Sequence, residues 1–182
     1  MTRPSSREDP APPQPPGPSP DRFRSVLGRF VTGITVMTSV SEDGEPHGMT
    51  ANAVTSVSLT PPLVLVCVDR TAIMSDVVTR SQRFALTILT ADQEGWSRWF
   101  ADPDRPSGPG QFAGVATTTM ATGSPLLVGG LAWLDCRVWA SYDGGDHVIV
   151  VGEVIDLEAS DDPSAVPLLY HRGDYAQLTP RD

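Results

Sequence analysis

Side chains able to bind or position a ligand lie at three places in the sequence. The first is the stretch from His47 to Pro62, in which Thr50, Ala51, Asn52 and Ala53 are small or carry hydrogen-bonding groups. A strand that only fills a core favours bulky branched residues, so this composition indicates a flat polar ligand lying against the backbone. A small-residue edge strand or a bulge is the alternative explanation.

The other two places are short polar segments next to predicted strands. Gly145, Asp146 and His147 form a turn that leads into an apolar run, and Tyr170 to Tyr175 is a polar and aromatic segment near the C-terminus. A histidine at a turn can position a ligand, although such residues are also often simply solvated. The C-terminal segment has a surface turn as its alternative explanation.

Composition narrows the classes of function. The chain has 182 residues and a net charge of -9, and its thirteen basic residues are scattered, which argues against a nucleic-acid surface. All of them are arginine, since the sequence contains no lysine. Schiff-base chemistry on lysine and a P-loop lysine are therefore excluded.

Cysteine usage and the terminal segments bear on compartment and domain organisation. Cys67 and Cys136 each lie inside an apolar run, a pattern that favours free thiols in the cytoplasm over a disulfide framework. With three histidines in no ligand spacing, we expect no metal site. No apolar run is long enough to span a membrane. Residues 1–20 are rich in proline and predict a disordered tail, followed by one domain over 21–178 and a short C-terminal tail, 179–182.

The elements that must position these residues are mostly strands. About six strands are predicted from alternation and apolar runs: Ile34 to Val40, His47 to Leu59, Leu63 to Val68 (buried on both faces), Phe84 to Leu89, Leu131 to Tyr142 and His147 to Leu157. Short helices are predicted at Phe23 to Phe30, Thr71 to Arg80, up to Phe100, and around Pro163 to Leu169. The absence of a GxGxxG motif and of βαβ alternation disfavours a Rossmann fold. A closed antiparallel barrel is the simplest arrangement, because closure removes exposed edges.

With these elements in place, the chain resembles the flavin reductase-like family, which has the FMN-binding split-barrel fold. The resemblance extends over most of residues 23–178, and it rests on the order and spacing of several motifs together. The motifs are Phe30 to Val36, Gly48 to Ala53, Ser56 to Ser58, Pro61 to Val64, Ser81 to Ala85, Gly123 to Leu127, Gly145 to His147 and Tyr170 to Gly173.

The resemblance implies a mainly β protein with short α insertions, a six-stranded antiparallel Greek-key split barrel. It also implies an NAD(P)H:flavin oxidoreductase that transfers hydride from NADH or NADPH to FMN or FAD and supplies reduced flavin to a partner monooxygenase. A homodimer with the flavin near a two-fold interface is expected. Two alternatives remain: a split-barrel FMN enzyme acting directly on an organic substrate, and a non-enzymatic flavin- or haem-binding module.

The site residues implied by the resemblance fall into two groups. The flavin is expected to lie against Thr35, Thr50, Ala51, Asn52, Ala53, Cys67 and Val68, with its ribityl phosphate near Arg70, Ala72, Ser81, Arg83 and Phe84. Gly145, Asp146, His147, Tyr170 and Arg172 are expected to contact NAD(P)H, with His147 positioning the nicotinamide. Because the cofactors carry the redox chemistry, the protein mainly has to stack and orient the two rings.

Two departures from the family pattern stand out. Leu86-Thr87 replaces a Val-Asn pair that is frequent in the family, and the loop from Asp102 to Gln111 is rich in proline and glycine. The loop is expected to influence flavin preference or exchange, because its counterpart covers the active site in some relatives.

Overall fold

The computed structural model describes residues 17–178. The predicted N-terminal tail therefore lies outside the described residues up to position 16, and so does the C-terminal tail, 179–182. The elements in chain order are α1 (Pro20–Leu27), β1 (Thr32–Gly33), β2 (Thr35–Val40), β3 (Pro46–Ala51), β4 (Val54–Leu59), β5 (Pro62–Asp69), α2 (Ile73–Ser81), β6 (Arg83–Ile88), α3 (Glu94–Ala101), β7 (Thr117–Thr119), β8 (Pro125–Leu127), β9 (Ala132–Gly144), β10 (His147–Ala159), β11 (Leu169–His171) and β12 (Asp174–Ala176).

A seven-stranded antiparallel sheet forms the body of the protein, with strand order β3-β2-β6-β9-β10-β5-β4. Two small sheets, β1-β11-β12 and β7-β8, lie outside it. The predicted class, mainly β with short helices, is confirmed. Within residues 17–178 the hydrogen-bonded order is interrupted between β3 and β4, so the expectation of a fully closed barrel was wrong in that respect.

The main sheet has one strand more than expected because the stretch from His47 to Leu59 is two strands. β3 pairs with β2, whereas β4 pairs with β5, and Asn52 and Ala53 lie between them outside any strand. Each half is thus committed to its own hairpin partner. The break places Asn52 and Ala53 on the surface at the junction of the two hairpins.

Two further sequence predictions were wrong. β5 is buried on one face only, because Val64, Val66 and Val68 point into the core while the residues between them stay partly exposed. The segment around Pro163 to Leu169 is extended where a helix was expected. There Leu168 donates to the Leu89 carbonyl and Ala91 donates to the Val166 carbonyl. Proline at 167 lacks the N–H that a helix interior needs.

The buried apolar residues form two clusters, on either side of β2 and β3. The first lies between the main sheet and α2 and includes Met37, Val66, Met74 and Phe84. The second lies under α3 and includes Ile34, Leu89, Phe100 and Leu168, with Trp96 and Trp99 packed against it. The aromatic residues of α3 therefore pack on the sheet. No helix within residues 17–178 combines the length and apolar character needed to cross a membrane.

Candidate active site

A cavity of about 540 Å³ opens between three parts of the fold. β3 supplies one wall, the junction of β5 with α2 a second, and the loop after α3 a third. The lining residues are His47, Met49, Thr50, Asp69, Thr71, Ala72, Ile73, Phe100, Ala101, Pro103, Arg105, Pro106, Ser107 and Gln111. Two of the predicted site residues, Thr50 and Ala72, are among them. Thr50 is fixed there because its hydroxyl donates to the Ser97 carbonyl at 2.7 Å.

The predicted flavin-binding stretch lies at one end of this region. The Thr35 hydroxyl donates to the Ala51 carbonyl at 2.8 Å, and both residues are buried. Asn52 is exposed and its amide contacts the Thr32 hydroxyl at 3.3 Å. The Ala53 carbonyl accepts from the Cys67 N–H at 3.0 Å, so this stretch and the end of β5 are in contact.

Other predicted flavin contacts lie elsewhere. The side chains of Val68 and Phe84 are completely buried in the first core cluster. Ser81 is the last residue of α2 and Arg83 follows it, so both lie at the opposite end of the helix from Ala72, and nine helical residues span about 13 Å. Arg83 donates to the Thr122 carbonyl at 3.1 Å, and Ser81 bonds the Ser39 hydroxyl at 2.9 Å. The role of these four residues in flavin binding stays a prediction.

The turn before β10 is braced by Arg70. Its Nε donates to the Gly145 carbonyl at 2.7 Å, and its Nη2 lies 2.6 Å from Asp143 Oδ1. The Arg70 backbone N–H donates to the Asp146 carbonyl at 3.1 Å. The Gly145 N–H and then the Arg70 guanidinium lower the pKa of Asp143, which keeps this carboxylate charged. Gly145 adopts φ +80°, a conformation that favours glycine. Arg70, predicted as a phosphate partner, is thus already engaged in holding this turn.

His147 follows the turn and is paired across the sheet with Asp69, a residue of the cavity wall. Its Nδ1 lies 2.7 Å from Asp146 Oδ1, and the side chain is 40 % exposed. Hydrogen bonds from Thr71 lower the pKa of Asp69. When Nδ1–H donates to Asp146, the Nε2 atom of His147 remains available to a ligand.

Tyr170 lies at a second, smaller cavity, which Arg172 does not line. Tyr170 lines this space of about 290 Å³ and is paired with Thr32, which contacts Asn52. The Arg172 N–H donates to the Gly28 carbonyl at 2.7 Å, and its side chain is exposed. Ala101 lines both cavities, so the two spaces adjoin at the end of α3.

Sequence reasoning missed a buried polar network on the large cavity. Gln111 Nε2 lies 2.9 Å from His47 Nδ1, and Gln111 Oε1 accepts from the Gly48 N–H at 3.1 Å. Arg105 Nη2 donates to the Gly48 carbonyl at 2.7 Å. Burial, followed by the Arg105 charge, lowers the pKa of His47 to about 4.

This network fixes the protonation of His47. A backbone N–H can only donate, so the Gln111 amide must present its oxygen to Gly48 and its NH₂ to His47. His47 Nδ1 therefore accepts, and the ring is neutral with its proton on Nε2. In the sequence the only visible signal was a histidine, a glycine and a distant glutamine, whose proximity depends on the loop after α3.

Comparison with known proteins identifies relatives over nearly the whole chain. Residues 27–179 match the family model described as the flavin reductase like domain. An NADH-dependent FAD reductase of Streptomyces globisporus is 43% identical over 160 residues, covering 87% of this chain and 86% of the relative. The flavin-dependent monooxygenase reductase subunit HsaB of Mycobacterium tuberculosis is 40% identical, with 88% of this chain and 83% of the relative covered.

Solved structures give the same result. The NADH:FAD oxidoreductase SgcE6 of Streptomyces globisporus, in complex with NAD and FAD fragments, has a TM-score of 0.81 at 40% identity, covering 88% of this chain and 93% of that one. BorF, the flavin reductase component of a bacterial two-component tryptophan halogenase, has a TM-score of 0.82 at 41% identity, covering 90% and 100%. The predicted split-barrel fold is confirmed.

Proposed function

Because this chain belongs to the flavin reductase-like domain family, we propose that it is an NAD(P)H:flavin oxidoreductase, taking hydride from NADH or NADPH and reducing FMN or FAD. We further propose that its reduced flavin is consumed by a separate flavin-dependent monooxygenase. Several relatives are reductase components of such systems, which supports this partner.

The residues around the large cavity fit this pair of ligands. Its volume of about 540 Å³ is in the range of cofactor sites, and β3 contributes His47, Met49 and Thr50 to its lining. The half-buried Arg105 and the carboxylate of Asp69 give it one cationic and one anionic side. The flavin, when bound, supplies the hydride-accepting centre.

The residues of the chain have the task of positioning the flavin and the nicotinamide. The Thr50 hydroxyl is bonded to Ser97 and the Thr35 hydroxyl to Ala51, so hydrogen bonds hold the end of β3 next to its break with β4. Asp146 orients the His147 ring and Arg70 holds the turn that carries both. We assign His147 the role of placing the nicotinamide, with Tyr170 and Arg172 closing the pocket on the other side.

The observation that carries this proposal is the pairing of His147 with Asp69. Asp69 lines the cavity to which β3 contributes Thr50, so the pairing supports a position of the Gly-Asp-His turn next to that cavity. A dihydronicotinamide held by His147 would therefore lie close to a ring held against β3. Proximity and orientation of this kind provide most of what hydride transfer between two cofactors requires.

We also propose that the chain acts as a homodimer in the cytoplasm. Leu65 and Cys67 on β5 and Ile149 on β10 point away from the core, stay partly exposed and are joined by the exposed Tyr142. His147 and Ile149 are two residues apart in β10 and therefore lie on the same face of the sheet. A second copy packed on this face would border the site. The free state of both cysteines supports a reducing compartment.

The test is oxidation of NADH and of NADPH by dialysed protein with FMN, FAD and riboflavin. We expect turnover that depends on added flavin, with one nicotinamide nucleotide preferred. A stable chromophore with little NAD(P)H oxidation would instead support a flavin- or haem-binding module. Turnover that requires an organic acceptor and no free flavin would support the direct-acting FMN enzyme.

A further inference from the structure

Arg105 has no ion-pair partner among residues 17–178, and the charge of the Asp102 carboxylate acts on it only from beyond ion-pair distance. It lines the large cavity and is half-buried, and burial lowers its pKa from the ordinary value. Its three contacts go to uncharged acceptors: the Asp102 carbonyl at 2.6 Å, the Gly48 carbonyl at 2.7 Å and Gln111 Oε1 at 3.4 Å. Within residues 17–178, no carboxylate oxygen lies within 4.0 Å of its guanidinium nitrogens.

The contacts of Arg105 also leave donors unused. A guanidinium has five N–H groups, and the three contacts account for only part of them. Ser107, in the same wall, lines the cavity and its hydroxyl makes no hydrogen bond to the described part of the chain. In contrast, the Thr50 hydroxyl donates to the Ser97 carbonyl and the Thr71 hydroxyl donates to the Asp69 carboxylate. Besides the Nε2–H of His47, the side-chain donors of this cavity that have no partner within residues 17–178 lie in the loop after α3.

The two arginines predicted to bind phosphate are placed differently. Arg70 forms an ion pair with Asp143 at 2.6 Å. Arg83, like Arg105, has no ion-pair partner among the described residues, and its Nε is buried without a hydrogen-bond partner, but it lies beyond the far end of α2. Neither lines the large cavity, and no other arginine of residues 17–178 does. Removing a cation from water costs free energy, and a bound anion offsets that cost when the protein supplies no counter-charge.

We propose that Arg105 and Ser107 bind a phosphate group of the nucleotide that occupies the large cavity. The proposal rests on the proposed function, whose flavin nucleotides and nicotinamide nucleotides both carry phosphate. Three contacts hold the guanidinium plane in place before the ligand arrives, so its remaining N–H groups are already oriented. Asp69, the one carboxylate among the lining residues, directs the phosphate toward the Arg105 side.

The test uses Arg105→Gln with two pairs of substrates that differ in phosphate. FMN is compared with riboflavin at saturating NADH, and NADH is compared with 1-benzyl-1,4-dihydronicotinamide at saturating riboflavin. We expect KM to rise about tenfold or more for the phosphate-bearing member of one pair. Its phosphate-free counterpart should change by less than about twofold. The affected pair identifies whether the phosphate belongs to the flavin or to the nicotinamide nucleotide.

Equal changes within each pair, or no change in either, would overturn the proposal and leave Arg105 as a clamp for the loop. Ser107→Ala gives an independent measurement, since it leaves the Arg105 contacts to β3 intact. It should raise the KM of the same phosphate-bearing substrate by a smaller factor. Arg80→Gln, an exposed arginine of α2, is the matched control. Wild-type turnover with riboflavin tests the proposed function separately, because that activity needs no flavin phosphate.

Discussion

His147 is held at the edge of the cavity by two neighbours with different tasks. Asp146 fixes the ring through Nδ1, and Arg70 fixes the turn by bonding the Gly145 carbonyl. The imidazole is partly exposed, so its free nitrogen is accessible to a ligand. This arrangement suits a residue that orients a ligand better than one that must exchange protons with solvent.

We expect His147→Ala to raise the KM for NADH about three- to tenfold, the effect of losing one positioning hydrogen bond. The KM for flavin should change by less than about twofold, since the β3 wall is untouched. Steady-state kinetics with each substrate varied in turn measures both values. Equal losses for both substrates would contradict the assignment. Glu158→Ala, at the exposed far end of β10, is the control.

His47 makes the stability of the protein dependent on pH. Its pKa in the folded chain is about 4, below its ordinary value of 6.5, so the unfolded chain takes up the proton first as pH falls. The contribution of neutral His47 is fully present above pH 6.5 and is lost between pH 6.5 and 4. A shift of this size corresponds to about 1–3 kcal/mol of unfolding free energy, since part of it is screened.

The measurement is urea denaturation of wild type and His47→Asn at several pH values from 7.5 to 4. Asparagine can accept from Gln111 and does not titrate. We expect the stability of wild type relative to the variant to fall as pH drops through this window. A difference that stays constant with pH would show that His47 is not buried as the neutral ring.

Residue types predicted part of the site and could not predict the rest. Thr50, Ala72 and His147 were identified from the motifs and lie at or beside the large cavity. His47 and Arg105 were missed because nothing local marks them. Their environment is created by the loop after α3. This loop brings Gln111 within hydrogen-bonding distance of His47, which lies sixty-four positions earlier in the sequence.

At the scale of elements, the hairpins were easier to predict than the ends of individual strands. The β2–β3 and β9–β10 hairpins contain Asp43-Gly44 and Gly144-Gly145 in their connections, residue pairs that are typical of hairpin turns. The break at Asn52 and Ala53 was missed because alternation continues through it, and only the different partners of β3 and β4 reveal it. Asp135 in β9 is fully buried and accepts from the Thr122 N–H, which its polar side chain does not predict.

The contact of β3 with α3 depends on a residue without a side chain. A Cβ atom at Gly48 would lie 2.7 Å from an edge carbon of Phe100, which is fully packed in the second core cluster. Gly48 also uses its N–H for Gln111 and its carbonyl for Arg105. The loop after α3 is therefore attached to the sheet at a position where the absence of a side chain lets Phe100 approach this closely.

We expect Gly48→Ala to lower the free energy of unfolding by about 1–3 kcal/mol, the usual cost of overpacking. It should also raise the KM of the ligand in the large cavity, because the loop would move with Phe100. Chemical denaturation and steady-state kinetics test the two effects. Gly33→Ala is the matched control, since a Cβ there meets nothing within 4 Å and the backbone is not left-handed. Equal stability of the two variants would contradict the close approach.

At the scale of the molecule, one face of the main sheet is apolar and incompletely covered. Cross-strand pairs join Cys67 to Ile149 and Ile149 to Tyr142, while the alternate residues Val66 and Val150 fill the core. This face ends at His147 and lies next to Ala53, so its occupancy affects the site directly. Apolar rows of this kind are typical of protein–protein interfaces.

If a second copy covers this face, Ile149→Arg should convert the protein to a monomer. A guanidinium without a partner in an apolar interface costs about 3 kcal/mol or more, which weakens a dimer about a hundredfold. We expect reductase activity to fall together with the dimer fraction, because the site borders the interface. Analytical ultracentrifugation over a range of concentrations, run beside activity assays, measures both. Val128→Arg, on the exposed segment after β8, controls for an added charge on the surface. A wild-type monomer, or a variant that remains dimeric, would rule out this face as the interface.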